Sequence, residues 1–253
     1  MEKEEIQVLI NTAISNTQVE VNNFTYPVFI ADDNHTPDLI ASSVVIKVDN
    51  KNYLVTAAHV LQQVLNAKSQ FLIGVDQKYV QLEGEFVFSS HDDKDHFDIA
   101  VIELTDEFVS EHGIKVLDES RLATNDKFEK VHIALLHGFP NSKNKQQKAL
   151  RGTTSFKVKA VAYGGVIKKD FQDWSKFGKL PELHTCMTYT KTKDHNKPIS
   201  PSGFSGGGLW ILPSVYYLGD YYLDSIMIEY HKNAHVTFST KIDSVVDFIK
   251  QYA

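Results

Sequence analysis

Apolar positions along this chain recur at two spacings, and the change from one to the other divides it. Residues 4 to 15 place Ile6, Leu9, Ile10 and Ile14 on one face at helical spacing, which predicts a short amphipathic helix. After Asn23 the texture becomes short runs of apolar and β-branched residues. YPVFIAD is followed by IASSVVIKVDNKNYLVTAA, where Asp49 to Asn52 supply a hairpin turn between two strands. Further strands are predicted in FLIGVD, YVQLEGEFVFS and FDIAVIEL.

A polar stretch at residues 117 to 130, LDESRLATNDKFEK, separates this half from a second one of the same character. There, VHIALLHGF, TSFKVKAVAYG, LHTCMTYTKT, GGLWIL, DSIMIEY and HVTFSTKI read as strands. The chain closes on IDSVVDFIKQYA, where Ile242, Val245, Val246 and Ile249 return to helical spacing. Many short strands, few helices and two similar halves predict an all-β protein of paired barrels. The boundaries that follow are an N-terminal helical extension over 1–22, a first barrel over 23–120, and a second barrel with the C-terminal helix over 121–253.

Composition narrows the class. Of 253 residues, 42% are hydrophobic and 23% charged, enough for a sizeable core. The net charge of -6, with acidic residues scattered, argues against nucleic acid or an anionic membrane as partner. No run approaches the roughly 18 apolar residues of a membrane span. Cys186 is the only cysteine, so no intramolecular disulfide forms, and MEKEEIQVLINTAIS lacks the basic, continuously apolar character of a signal peptide. These features lead us to expect a cytoplasmic protein.

The chemistry concentrates in PSGFSGGGLW, residues 201 to 210, where a serine stands among glycines. Glycine serves where the backbone needs positive φ or close approach, and a glycine cluster on its own also reads as a mobile turn. The reading turns on partners for Ser205. His59 ends the strand YLVTAAH, and Asp98 abuts IAVIEL, giving the chain order His, Asp, Ser that recurs among hydrolases. Here the chain resembles the trypsin/chymotrypsin-like serine peptidases: TAAH matches their histidine motif, DIAVIEL their aspartate motif and GFSGGG their GxSGG serine motif. The likeness spans roughly residues 24 to 252, and is nearest to the disulfide-free bacterial members.

The resemblance implies two six-stranded antiparallel β-barrels of chymotrypsin type, with short N-terminal and C-terminal helices. It implies Ser205 as nucleophile, His59 as general acid/base and Asp98 as the acid that orients the imidazole, with the backbone N–H groups of Gly203 and Ser205 forming an oxyanion hole. It places the substrate beside Ile199, Ser200 and Ser202 before the serine motif, and beside Ile228, Glu229, Tyr230 and His231 on a later strand. No cofactor or metal is implied. Phe204 departs from the digestive members, where an aspartate here pairs with a newly cut N-terminus. A phenyl ring makes no such ion pair, so activity is expected without N-terminal processing.

The remaining features carry less. SSHDDKDHFD, residues 89 to 98, lacks the spacing of zinc or calcium sites and reads as a solvated loop, with His91 and His96 exposed. Lys193, His195 and Lys197 make one loop basic, and Glu229 opposes them, so no substrate side chain is assigned. VIKKDFQDWSKFGKLP, residues 166 to 181, reads as a helix packed on the second barrel or as a loop that docks a partner. The reading is a serine endopeptidase acting on a protein or peptide, narrowly specific or gated by a regulatory protein partner. Its bacterial likeness suggests a role in stress or anti-phage defence. The rival readings are a peptide-binding module that retains the triad without catalysis, and an esterase using the same nucleophile.

Overall fold

The computed structural model describes residues 3–31, 37–89, 96–124, 133–144, 157–190, 199–214 and 219–253. Helix α1 (Lys3–Val21) leads into β1 (Thr25–Ala31), β2 (Pro37–Val48) and β3 (Lys51–Ala57). Next come α2 (Ala58–Asn66), β4 (Phe71–Val75), β5 (Lys78–Gln81), β6 (Val87–Phe88), β7 (Ile99–Leu104) and α3 (Asp106–His112). The second half runs β8 (Ile133–Gly138), β9 (Val161–Gly165), β10 (His184–Thr188), β11 (Gly208–Leu212), β12 (Tyr222–His231), β13 (Val236–Lys241) and α4 (Ile242–Tyr252).

The strands form two antiparallel sheets, ordered β5-β4-β1-β2-β3-β7-β6 and β10-β13-β12-β11-β8-β9. Among the described residues the first sheet thus has seven strands where six were expected, because YVQLEGEFVFS does not run as one strand. Glu83, Gly84 and Glu85 are exposed and Gly84 takes φ +137°, so the chain breaks there into β5 and β6. The β2–β3 hairpin closes as predicted, with Asp49 and Asn50 at φ 48° and 64°, the left-handed pair that matches strand twist.

Two helices, α2 and α3, were not expected. α3 carries a legible cap, since Thr105 accepts from the Phe108 N–H and Gly113 ends the helix at φ +65°. α1 is longer than predicted, and of the expected inward face Ile10 and Ile14 pack partly buried against the core. Ala13, Thr17 and Val21 are buried while Ile6 is exposed, because the helix meets β8 and β9 chiefly through its C-terminal half. α4 buries Ile242, Val245, Val246 and Ile249 as its spacing requires. No helix among the described residues is long and apolar enough to cross a membrane.

Residues 166 to 181 form only one short 3-10 turn, Trp174–Phe177, and it packs on the second sheet. Phe171, Trp174 and Phe177 ring the fully buried Phe238, with centroids 5.7, 5.8 and 5.4 Å from it. The aromatics interleaved with charges are therefore core-covering groups.

The two sheets meet around a histidine. His137 on β8 is fully buried; its Nδ1 lies 3.1 Å from Thr25 Oγ1 on β1, which itself donates to the Val21 carbonyl at the end of α1. Its Nε2 meets no hydrogen-bonding group among the described residues. Burial pushes the His137 pKa down to about 3, against about 6.5 when unfolded. The unfolded chain therefore takes up a proton that the folded one refuses, and stability falls as pH drops from about 6.5 towards 3. Between pH 7 and 4.5 this one group should remove about 2–3 kcal/mol from the unfolding free energy. Urea unfolding of the native chain and His137→Leu at both values checks this: the variant should show the smaller loss, and equal losses would contradict it.

Candidate active site

Strand register brings the first two groups together. β3 pairs with β7 so that Ala57 faces Ile99, which sets the residues just beyond, His59 and Asp98, side by side. The Ala58 N–H donates to the Asp98 carbonyl at 3.0 Å, and the His59 N–H donates to Asp98 Oδ1 at 2.9 Å. Asp98 Oδ2 then lies 2.7 Å from His59 Nδ1. One carboxylate thus receives both the backbone and the ring of His59. With Nδ1 carrying the proton towards Asp98, Nε2 presents its lone pair to the cleft.

Asp98 adopts φ +49°, a conformation that aspartate tolerates better than most residues. The second sheet grips the chain just before it. Thr240 Oγ1 donates to the Phe97 carbonyl at 2.6 Å, and His184 Nε2 donates to the His96 carbonyl. His184 is buried, which lowers its pKa and favours the neutral ring that makes this bond. His96, expected to be exposed, is only half so: its Nδ1 bonds the Gly178 carbonyl, which ties the loop down. His91 lies outside the described residues.

Ser205 precedes β11 on a loop bound across the sheets. The Ser42 N–H on β2 donates to the Ser205 carbonyl at 2.9 Å, and Ser42 Oγ donates to the Gly203 carbonyl at 2.7 Å. Gly206, at φ +81°, lies so close to Ser42 that a Cβ would sit 2.1 Å from its carbonyl oxygen. Only glycine fits there, which explains part of the cluster.

Gly203 is a second such position. It sits at φ +97°, and a Cβ would lie 2.4 Å from the Phe139 carbonyl oxygen. The Ser202 carbonyl accepts from the Asn141 N–H at 2.8 Å. In a trans peptide C=O and N–H point in opposite directions, so this bond turns the Gly203 N–H away from Asn141. The N–H groups of Gly203 and Ser205 donate to no acceptor among the described residues. Phe204 is fully buried, in an apolar cluster with Leu136, Tyr189, Leu209 and Met227.

His59, Asp98 and Ser205 line one cleft of about 400 Å³, together with Pro201, Ser202, Met227, Ile228, Glu229 and Tyr230. No hydrogen bond joins His59 Nε2 to Ser205 Oγ among the described residues. In unliganded hydrolases such bonds are often long and tighten when substrate binds. Of the other expected substrate contacts, Ile199 is buried with its carbonyl accepting from Tyr189 Oη at 2.8 Å, and Ser200 is exposed; neither lines the cleft. His231 faces a neighbouring cavity. Glu229 is engaged on both sides, with Lys179 Nζ at 2.9 Å and His231 Nε2 at 2.8 Å, the latter a close approach without hydrogen-bond alignment. Lys193, His195 and Lys197 lie outside the described residues.

Ser42, Asn141, His184 and Thr240 hold this arrangement, and sequence reasoning had not singled them out. Cys186, by contrast, is buried with its thiol pushed up to about 11, so it offers no thiolate as a rival nucleophile. No group of three or more His, Cys, Asp or Glu side chains placed to hold a metal occurs among the described residues.

No protein-family model matches the chain, and no curated protein matches it. Solved structures do. The serine protease domain of the Sesbania mosaic virus polyprotein superposes with a TM-score of 0.51 at 13% identity, covering 90% of this chain and 92% of that one. A chain solved in work on the "coupled folding and binding of the intrinsically disordered Sesbania mosaic virus VPg protein" gives 0.52 at 15% identity, covering 90% of each. At such identities the likeness speaks for the fold alone. The two antiparallel sheets with their terminal helices thus match the chymotrypsin-like two-barrel fold.

Proposed function

We propose that the chain is a serine endopeptidase working through His59, Asp98 and Ser205. One observation carries this reading: the Asp98-bound imidazole and Ser205 open onto a single cleft, beside two amides left without acceptors. In this reading residues 23–120 supply the histidine and aspartate, and residues 121–253 the serine.

Ser205 Oγ attacks the carbonyl carbon of the bound peptide and passes its proton to His59 Nε2. The carbonyl oxygen becomes an oxyanion and takes hydrogen bonds from the Gly203 and Ser205 N–H groups. Breaking the C–N bond sends the proton from His59 to the departing amine and leaves an acyl ester on Ser205. Water then attacks the ester, His59 takes and returns a proton again, and the acid leaves with Ser205 restored. Asp98 stays ionised throughout and stabilises the imidazolium.

The serine loop needs no new N-terminus in this account. Buried Phe204 fills the place with apolar contacts, while Ser42 and Asn141 fix the loop by hydrogen bonds. The full chain should therefore hydrolyse peptide bonds as synthesised. Incubation with a peptide library derived from a cell extract, read by mass spectrometry of new termini, tests this. Cleavage by the native chain that is absent with Ser205→Ala supports the reading. Hydrolysis of activated esters alone would make the chain an esterase. The unformed His59–Ser205 bond favours one rival, a peptide-binding module, and binding of library peptides without cleavage would establish it.

A further inference from the structure

Beyond the triad the cleft continues along β12. β11 stops pairing at Gly208, opposite Ile226, and the last bonds on that side are from the Gly206 N–H to the Met227 carbonyl and from the Met227 N–H to the Gly207 carbonyl. β12 itself runs on to His231, paired with β13 on its other edge. The edge from Ile228 to His231 thus has no strand partner among the described residues, and an extended peptide can add there. Every pair in this sheet is antiparallel. A peptide added in the same sense runs against β12, so its residues before the cleaved bond lie towards His231. At about 3.3 Å per residue, the step from Met227 to His231 and Lys232 places the third or fourth residue before that bond at the outer end.

A second cavity of about 660 Å³ opens there, sharing Tyr230 with the catalytic cleft. Phe177, Tyr230 and His231 give it aromatic walls, with Phe177 and His231 rings 4.5 Å apart. Lys176 and Lys232 stand exposed on its rim, and the Lys176 ammonium lies 5.8 Å from the Phe177 ring centroid. The nearby acid, Glu229, is already occupied by the buried Lys179 ammonium at 2.9 Å. The cavity therefore offers two ammonium groups to whatever enters it and no unoccupied carboxylate among its described lining.

We propose that this cavity is a specificity subsite for an acidic side chain, aspartate or glutamate, three or four residues before the cleaved bond. The inference rests on the peptidase reading above and adds the substrate class to it. The methylenes of the acidic residue lie against the aromatic walls and its carboxylate meets Lys176 and Lys232. Selectivity of about 3- to 10-fold follows from two exposed ion pairs, and it weakens as salt rises.

Peptidyl phosphonates, which label an activated serine without a known substrate, test the proposal on the full chain. Matched probes carry glutamate, glutamine or lysine at the third and fourth positions before the phosphonate, and a small fluorophosphonate that cannot reach the cavity reports the nucleophile alone. The glutamate probes should label about 3- to 10-fold faster than the glutamine probes, with lysine slowest. The double variant Lys176→Glu/Lys232→Glu should label with the fluorophosphonate at the native rate, which shows an intact site, and should lose or invert the preference. Equal rates for the three peptides, or a preference unchanged in the variant, would overturn the subsite while fluorophosphonate labelling leaves the peptidase reading standing. Failure of every probe, the fluorophosphonate included, would overturn both.

Discussion

Ser205→Ala is expected to lower turnover by about 10⁶-fold while leaving the fold unchanged. What holds the loop is its backbone: the Ser205 carbonyl is anchored by the Ser42 N–H, and the Gly203 carbonyl by Ser42 Oγ. None of these bonds uses the Ser205 hydroxyl, so the substitution removes the attacking atom and little else. The residual rate would come from the oxyanion donors and substrate binding alone. Single-turnover peptide cleavage by the two proteins, with thermal unfolding as a control, measures this. A variant keeping more than about a thousandth of native turnover would mean that another group attacks.

Asp98→Asn should cost about 10⁴-fold, and here the geometry gives the reason. The His59 N–H donates to Oδ1 at 2.9 Å, so an amide at this place must turn its oxygen to that donor. Its NH₂ group then faces Nδ1, 2.7 Å away in the native site, and that nitrogen must become an acceptor. The ring proton moves to Nε2, where it meets Ser205 as a donor and cannot accept the hydroxyl proton. Binding should be nearly unchanged, so the loss should fall on kcat more than on KM. A loss below about tenfold would show that Asp98 does not set the tautomer.

Much of this was legible in the chain. Alternating apolar runs placed most strands, and helical spacing placed α4 with its four buried residues. The motifs TAAH, DIAVIEL and GFSGGG singled out His59, Asp98 and Ser205, which line one cleft. Where the reading failed, the cause was contact between distant parts of the chain. Ser42 looked like a small residue in an apolar strand, yet its hydroxyl reaches a carbonyl 161 residues away. Thr240 and His184 likewise reach the site through the carbonyls ahead of Asp98. Asn141 works through its backbone N–H, which no side-chain pattern records. α1 shows the same limit in packing: its spacing marked Ile6 as inward, but Ile6 is exposed while Ala13, Thr17 and Val21 are the buried side chains.

The outer cavity was hidden for a related reason. Glu229 counts as an acid in the sequence, and only the structure shows it taken up by Lys179, a residue 50 positions earlier in the chain. With that carboxylate occupied, the lysines around it set the sign of the surface. Charge read from sequence alone assigns no partner and so no direction.

The account stands on Ser205 being an activated nucleophile, and covalent labelling reads that property most directly. Treatment of the full chain with a fluorophosphonate, followed by peptide mapping, should give one phosphonyl group on Ser205, none in Ser205→Ala, and much slower addition in His59→Ala. A native protein that stays unlabelled, or a label that persists when Ser205 is replaced, would contradict it.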